Sequence, residues 1–380
     1  MFKLNVNIIY GENSLAKLPE ILKDYGFTYP GILCDKNVYS NSNYVREQID
    51  QLLPHRNNLL FYDFPFEPSY QFLDKKIADI REKELDKKVD VWIGLGGGST
   101  IDTAKGIAVL CNNDGPSINY KGFPTAINVP IPIIAIPSTT GTGSEVVYNA
   151  SFIDEDTKIK MGINFNKNYP ILAILDPRIP SCAPLQVLAS SGCDALVHTL
   201  ESFMSKETNE HVRMFAKRSY ELIMANMKPL LMGEQGMDKW LNMQWAAVYA
   251  MFALSNSTSG PTGALSYYLG AHYKVSHGIA GGVFIGKVIE YNHNNGYYDL
   301  SLLYEGNNQD ELNDDKKSKS VINEIKELLE LANIPEELAV FGVKESDYNG
   351  FNEFARQAKA AFEFNPVPID LNCVSKLLIK

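Results

Sequence analysis

The sequence predicts an α/β domain with a parallel sheet, followed by an all-helical domain. Short apolar runs alternate with an amphipathic stretch in the first half, whereas the region after Pro184 is periodic and nearly lacks strand patterns. The chain has 380 residues, and a domain typically takes about 100–200, so the length also favours two domains. We therefore predict an α/β domain in residues 1–182 and a helical domain in residues 183–380.

The strand candidates of the first half are short apolar runs. They cover residues 31–34, 59–62, 89–93, 131–136 and 172–175. A charged amphipathic stretch, residues 70–88, separates the second candidate from the third and predicts a helix. This strand–helix–strand order indicates a parallel sheet covered by helices. The second half is different, because its patterns are helical. There we expect helices at residues 185–231, 239–255 and 320–332, and a solvated loop at residues 307–319.

The overall charge and the cysteine pattern exclude several classes of partner. The chain has 45 acidic and 35 basic residues, a formal net charge of −10, and binding to nucleic acid needs a basic surface stripe. We expect no membrane partner, because no apolar run approaches the roughly 18 residues of a membrane span. Five scattered cysteines without CxxC spacing, together with an N-terminus that lacks a signal-peptide pattern, favour a reduced, cytoplasmic protein.

Two glycine-rich segments each follow a predicted strand. Residues 94–99 contain four glycines and precede a predicted helix at 100–110. Glycine lets the backbone approach a diphosphate closely, and a helix N-terminus offers free N–H groups to it. Position 99 is serine, so the segment departs from the dinucleotide fingerprint. Residues 137–145, rich in hydroxyl groups and glycine, suit a second wall of a nucleotide cleft. Tight turns without a ligand remain the alternative.

A smaller set of residues has the chemistry of metal ligands. Asp194 and His198 lie four residues apart in a predicted helix, so both side chains emerge on one face. A carboxylate and an imidazole placed in this way can share a divalent cation, although a surface ion pair is equally consistent with the spacing. His277 lies in a different predicted helix and is a candidate third ligand.

In this order, the motifs resemble those of the iron-containing, or group III, alcohol dehydrogenases. The resemblance rests on residues 96–99 with Asp102, 139–145, Asp176-Pro177, 192–198 with Glu201, His277-Gly278 and Asn365-Pro366. It implies an α/β dinucleotide-binding domain, a helical metal-binding domain, and NAD(P)-linked interconversion of an alcohol and an aldehyde or ketone. It also implies NAD as the cofactor, with NADP as the alternative, a divalent Fe2+ or Zn2+ ion, a small-molecule substrate and a homodimer.

The resemblance assigns roles residue by residue. The residues implied to bind the cofactor are Asp35 at the adenine ribose, Gly97, Gly98 and Ser99 at the pyrophosphate, Asp102 on the nicotinamide side, and Thr139, Thr140 and Thr142 along the cleft. The implied metal ligands are Asp194, His198 and His277. The catalytic candidates are Tyr267, Asp102 and Lys160.

The family's fourth metal ligand has no counterpart here. That position falls on Gly263, which has no side chain, and Tyr267 stands where the family has a second histidine. His272 lies nine residues after Gly263, about half a turn out of phase on a continuous helix, so we do not expect it to be a ligand. Two outcomes stay open. Either three protein ligands and water hold a cation, or the site is metal-free and Tyr267 polarises the substrate carbonyl.

The substrate is assigned only by resemblance. Residues 263–270 resemble the family branches that reduce phosphonoacetaldehyde-like substrates and oxidise octulosonate sugar acids, so we expect a small or sugar-like anionic substrate. Lys160, Lys274 and Arg178 are the candidate cations that would bind it. The alternatives are a nucleotide-binding pseudoenzyme and a lyase similar to dehydroquinate synthase. Such a lyase needs more basic residues around the metal, and the missing histidines disfavour it.

The first prediction concerns the choice between NADH and NADPH. We expect NADH to bind more tightly, because the Asp35 carboxylate would repel a 2′-phosphate. Replacing this residue (Asp35→Gly) should relax the preference. Fluorescence titration of both variants with both cofactors measures it, and tighter binding of NADPH by the unmodified protein would contradict the assignment of Asp35.

Overall fold

The computed structural model describes residues 4–52, 58–65, 67–125, 127–306 and 311–377. The chain divides into two compact units. Of the described residues, one unit contains 4–184 together with Gln235–Gln244, and the other contains Leu185–Glu234 and those from Trp245 onward. None of the helices within the described ranges is long and apolar enough to cross a membrane.

The first unit is built on a six-stranded parallel sheet with the strand order β1-β8-β5-β4-β2-β3. A separate antiparallel pair, β6 and β7, lies outside this sheet. The strands are β1 Asn7–Tyr10, β2 Pro30–Asp35, β3 Leu59–Tyr62, β4 Val91–Gly96, β5 Ile133–Pro137, β6 Asn149–Ala150, β7 Ile163–Asn164 and β8 Leu172–Leu175. The predicted α/β class is confirmed, and all five predicted strands are present. The edge strand β1 was not predicted, because its four residues are only partly buried and lack a strong apolar pattern.

Helices cover both faces of this sheet. They are α1 Leu18–Asp24, α2 Lys36–Asn41, α3 Asn43–Leu52, α4 Tyr70–Glu82 and α5 Gly98–Cys111. Successive residues of a strand point to opposite faces. Thus Ile32 packs in a core with Val45 of α3, whereas its neighbour Leu33 packs in a second core with Leu73 of α4 and Ile107 of α5. The predicted helix at 70–88 ends early, at Glu82, and a short 3-10 turn follows.

The second unit is helical. Its helices, of which α8 begins in the segment assigned to the first unit, are α6 Leu185–Met204, α7 Glu210–Leu231, α8 Met237–Leu254, α9 Pro261–Tyr273, α10 His277–Asn294, α11 Asp314–Leu331, α12 Tyr348–Gln357 and α13 Lys359–Glu363. The single helix predicted at 185–231 is two helices. The break falls where the Asn209 side chain accepts a hydrogen bond from the Val212 N–H (3.2 Å) and so caps α7.

The loop predicted at 307–319 is wrong for its last part, since α11 begins at Asp314. Asn313 caps this helix by accepting from the Lys316 N–H (3.0 Å). Asp314 and Asp315 lie in the first turn, where negative charge is favoured by the helix dipole. The charged residues that indicated a loop therefore lie in the exposed, capped first turn of α11. Residues 307–310 lie outside the described ranges.

Candidate nucleotide and metal sites

Three adjacent strands bring the predicted nucleotide-binding residues to one edge of the sheet. Strands β2, β4 and β5 are neighbours and run parallel, so their carboxyl ends meet. Asp35 ends β2, residues 97–99 follow β4, and residues 138–143 follow β5. Ligands of open parallel sheets bind outside the carboxyl ends of the strands. The fold therefore gathers these three segments where a nucleotide site is expected.

The glycines after β4 allow two loops to pack against each other. A Cβ atom on Gly98 would lie 2.5 Å from Thr142 Cγ2, and one on Gly97 would lie 3.3 Å from Thr139 Cγ2. From the sequence, glycine was expected here because a diphosphate would approach the backbone closely. In the structure, the closest group at Gly98 is the side chain of Thr142. Gly97 has no side chain with which to cap this 14-residue helix. The Thr100 N–H donates to the Gly97 carbonyl (3.0 Å), which leaves the N–H groups of Gly98 and Ser99 to bind an anion.

Asp102 lies behind these loops and ties them together. One carboxylate oxygen accepts from Ser144 Oγ, and the other accepts from the Ser151 N–H (2.8 Å). Lys105 Nζ lies 3.6 Å from the first oxygen. These contacts fix the 144–151 segment against α5. The geometry gives Asp102 a positioning role, while its catalytic role stays a prediction.

The sequence analysis missed two buried charged residues beside Asp102. Lys105 is fully buried and donates to the carbonyl oxygens of Ser144 (2.6 Å) and Asn149 (2.8 Å). Burial lowers the pKa of Lys105. Burial also raises the pKa of Glu145 to about 7, although the nearby Lys105 charge acts in the opposite direction. A lysine three residues after Asp102, inside an otherwise apolar helix, was the signal that could have indicated this network.

Asp35 lies at the end of β2, as an adenine-ribose ligand would require. Its Oδ1 atom caps α2 by accepting from the N–H groups of Asn37 (2.8 Å) and Val38 (3.4 Å). Burial raises its pKa, and the neighbouring Asp63 adds to this effect. Asp63 itself lies 3.5 Å from Lys36 Nζ. Two carboxylates therefore lie near the end of β2, which makes this corner unfavourable for a further phosphate.

The three candidate cations have different surroundings. Lys160 Nζ lies 2.6 Å from Glu67 Oε2, and both side chains are largely buried. The Arg178 guanidinium lies 3.8 Å from the centre of the Tyr44 ring. Lys274 is exposed, ends α9 in the left-handed conformation (φ 59°), and precedes His277 by three residues.

Asp194, His198 and His277 come together in the helical unit. Asp194 Oδ1 lies 3.6 Å from His198 Nε2 and 3.9 Å from His277 Nε2, and one ligand atom from each residue lies within 4.8 Å of the others. Asp194 and His198 are on α6, and His277 is the first residue of α10. Two imidazoles and a carboxylate fit a divalent transition metal. His198 faces Asp194 with its Nε2 atom, and its other ring nitrogen, Nδ1, is buried without a hydrogen-bond partner among the described residues.

The position of the missing fourth ligand is filled by other groups. A Cβ atom on Gly263 would overlap Ser259 Oγ and would lie 3.2 Å from Glu201 Oε2. Tyr267, one turn along α9, stacks on the ring of His277 with centroids 4.8 Å apart and an interplanar angle of 18°. His272 is outside the Asp194–His198–His277 group, and its ring contacts that of Tyr268 (4.2 Å).

Comparisons with known proteins cover nearly the whole chain. The family model described as iron-containing alcohol dehydrogenase matches residues 5–177, and that of the C-terminal part of the Fe-containing alcohol dehydrogenase family matches residues 188–380. A 1,3-propanediol dehydrogenase of Citrobacter freundii is 29% identical over 369 residues, 95% of this chain and 93% of that protein. Its counterpart in Klebsiella pneumoniae is 31% identical over 283 residues, 74% of this chain and 73% of that protein.

Solved structures share the fold over the full length. A crystal structure of 1,3-propanediol oxidoreductase aligns with a TM-score of 0.89 and 25% identity, covering 100% of this chain and 99% of that one. Sulfoacetaldehyde reductase from Bifidobacterium kashiwanohense, solved in complex with NAD+, aligns with a TM-score of 0.85 and 22% identity, covering 100% and 98% of the two chains. At that lower identity the likeness concerns the fold alone.

The contact between Gly98 and Thr142 leads to a prediction about cofactor affinity. Gly98→Ala should weaken NADH binding about tenfold or more, because overpacking typically costs about 1–3 kcal/mol and would push the 138–143 loop away from α5. Adding Thr142→Ala removes both of the nearest Thr142 atoms, Cγ2 and Oγ1, and should restore part of the affinity. Isothermal titration calorimetry on both variants measures this. An unchanged dissociation constant for NADH in Gly98→Ala would contradict a role of these loops in nucleotide binding.

Proposed function

The chain belongs to the iron-containing alcohol dehydrogenases, and from that premise we propose that it interconverts an alcohol and an aldehyde by metal-dependent, NAD-linked hydride transfer. The family consists of oxidoreductases that act on CH–OH groups and use NAD(H) and a divalent metal. The observation that carries the proposal is the convergence of Asp194, His198 and His277, because such a donor set suits that metal.

The chain's own residues would divide the work as follows. Asp194, His198 and His277 would hold the metal, which when bound supplies a Lewis acid for the substrate oxygen. The N–H groups at the start of α5 would bind the cofactor's pyrophosphate, and Asp35 its adenine ribose. In the oxidation direction, NAD when bound would supply the acceptor for a hydride from the substrate carbon, and the hydroxyl proton of the substrate would be released to water. Tyr267, stacked on His277, would hold that imidazole in place.

For the substrate we propose a small or sugar-like anionic alcohol or carbonyl compound, such as a phosphonate or a sugar acid. Lys160 and Arg178 already interact with Glu67 and Tyr44, so they are weaker candidates for binding its charge. Lys274 is exposed and close in sequence to His277, which makes it the better candidate. The division into domains between residues 182 and 183 stays a prediction. The homodimer also stays a prediction, which light scattering tests.

The metal requirement gives a direct test of the proposed function. Protein purified without chelator should contain near one metal ion per chain, and a chelator should strip it readily because water replaces a fourth protein ligand. His198→Ala should lose the metal, and kcat/KM should fall about a hundredfold or more, since a Lewis acid contributes several kcal/mol. The exposed His211 supplies a matched control, His211→Ala. Full activity in metal-free protein, unaffected by His198→Ala, would instead favour a metal-independent reductase that relies on Tyr267.

The role of Lys274 is tested with paired substrates of equal size. Lys274→Ala should raise KM for an anionic aldehyde about fivefold or more, because one partly screened charge pair is worth about 1 kcal/mol. It should leave KM for the neutral analogue and kcat for both unchanged. Lys160→Ala serves as the comparison. An equal rise in KM for both substrates would contradict a charge-specific role of Lys274.

A further inference from the structure

Glu201 connects the helix of two proposed metal ligands to the start of another helix. It follows His198 by three residues on α6, so it lies on the same helix face as Asp194 and His198. Its side chain is buried, with the residue only 4% exposed. Its carboxylate accepts four hydrogen bonds, from Ser259 Oγ (2.9 Å) and from the N–H groups of Gly260 (2.9 Å), Thr262 (2.7 Å) and Gly263 (3.1 Å). We call this set of contacts the Glu201 clamp.

The clamp supplies the N-terminal cap that α9 does not have in its own sequence. The N-cap residue is Gly260, which has no side chain, and Pro261 is the first helical residue. The first N–H groups of a helix have no intrahelical partner, and a negative charge there is favoured by the helix dipole. A buried carboxylate in turn needs several donors to replace its lost hydration. The N–H groups at the start of α9 therefore obtain an acceptor, and the buried Glu201 carboxylate obtains its donors.

Glycine at position 263 is a condition for this arrangement. Any side chain there would overlap Ser259 Oγ and crowd the Glu201 carboxylate, because the Cβ position lies 3.2 Å from Oε2. A side chain at position 263 and the present position of Ser259 Oγ therefore exclude each other. One turn after Gly263, the same helix carries Tyr267, whose ring stacks on the third proposed ligand, His277. The clamp thus links α6, α9 and the first residue of α10.

We propose that Glu201 is a positioning residue of the metal site, acting through α9 and Tyr267 on the imidazole of His277. In this chain, which has no side chain at position 263, the start of α9 is held by the hydrogen bonds of the clamp and not by a bond from that position to the metal. The inference rests on the proposed metal-dependent function. It gives Glu201 a role in the metal site although Glu201 is not one of the proposed metal ligands.

The test uses the full-length protein, stripped of metal and titrated with Co2+, whose visible absorption reports the ligand geometry. Gly263→Ala should weaken Co2+ binding about tenfold and change the spectrum, because the new methyl group displaces Ser259 and Glu201. Ser259→Ala, added to Gly263→Ala, should recover part of the affinity, because the nearest remaining Ser259 atom is Cβ at 3.6 Å, whereas Glu201 Oε2 stays 3.2 Å away and loses the hydrogen bond from Ser259. Gly286→Ala, on α10, is the matched control, because its methyl group would make only an ordinary contact with Leu329 at 3.6 Å.

Glu201→Gln supplies an independent arm. An amide nitrogen cannot accept from the Gly260 N–H, so Co2+ affinity should fall and the spectrum should shift even where the far-ultraviolet circular dichroism is unchanged. Unaltered Co2+ affinity and spectrum in both Glu201→Gln and Gly263→Ala would overturn the inference while leaving the proposed function intact. A Gly263→Ala defect that Ser259→Ala does not relieve would also overturn it. Wild-type protein that binds no Co2+ would overturn the proposed function, and this inference with it.

Discussion

A buried charge persists only where enough polar groups replace its lost hydration, and in each unit of this protein such a charge holds the segments of a candidate site together. In the α/β unit it is Lys105, whose ammonium group binds the 144–149 segment and thereby fixes the loop after β5 against α5. In the helical unit it is Glu201, whose carboxylate fixes α9 against α6. In both cases a long-range contact sets the position of residues that bear the proposed chemistry.

Glycines make these contacts geometrically feasible. Gly98 lets α5 approach Thr142, and Gly263 leaves space for Ser259 and Glu201. Gly94 serves the same purpose inside β4, since a Cβ there would lie 3.0 Å from that of Ala104 on α5. The glycine-rich sequence after the third predicted strand therefore has a packing role besides its proposed role in ligand binding. Much of it is required for close packing between the sheet, α5 and the neighbouring loop.

The α/β fold followed from the sequence because buried parallel strands are apolar runs that need no knowledge of their partners. The ends of β4 did not follow, since Gly94 and Gly96 resemble turn residues and become strand through pairing with β5. The break between α6 and α7 depends on the single cap made by Asn209. Asp194 and His198 were predicted as a pair from their helical spacing, and His277 was a candidate third ligand from a different predicted helix that the family resemblance also selects. The role of Glu201 was not visible, because its partners lie 58 to 62 residues away.

The missing fourth ligand shows why a substitution has to be interpreted in its surroundings. Loss of a large side chain from a packed site usually leaves a cavity, and the cost depends on how far the neighbours collapse. Here Ser259 Oγ occupies the space and donates to the Glu201 carboxylate, which in turn accepts from the start of α9. A histidine at position 263 would therefore have to displace Ser259 Oγ and would crowd the Glu201 carboxylate, whose nearest oxygen lies 3.2 Å from the Cβ position. Because Ser259 Oγ donates one of the four hydrogen bonds to that buried carboxylate, its displacement leaves the carboxylate with one donor fewer, and Gly263 and Ser259 therefore depend on each other.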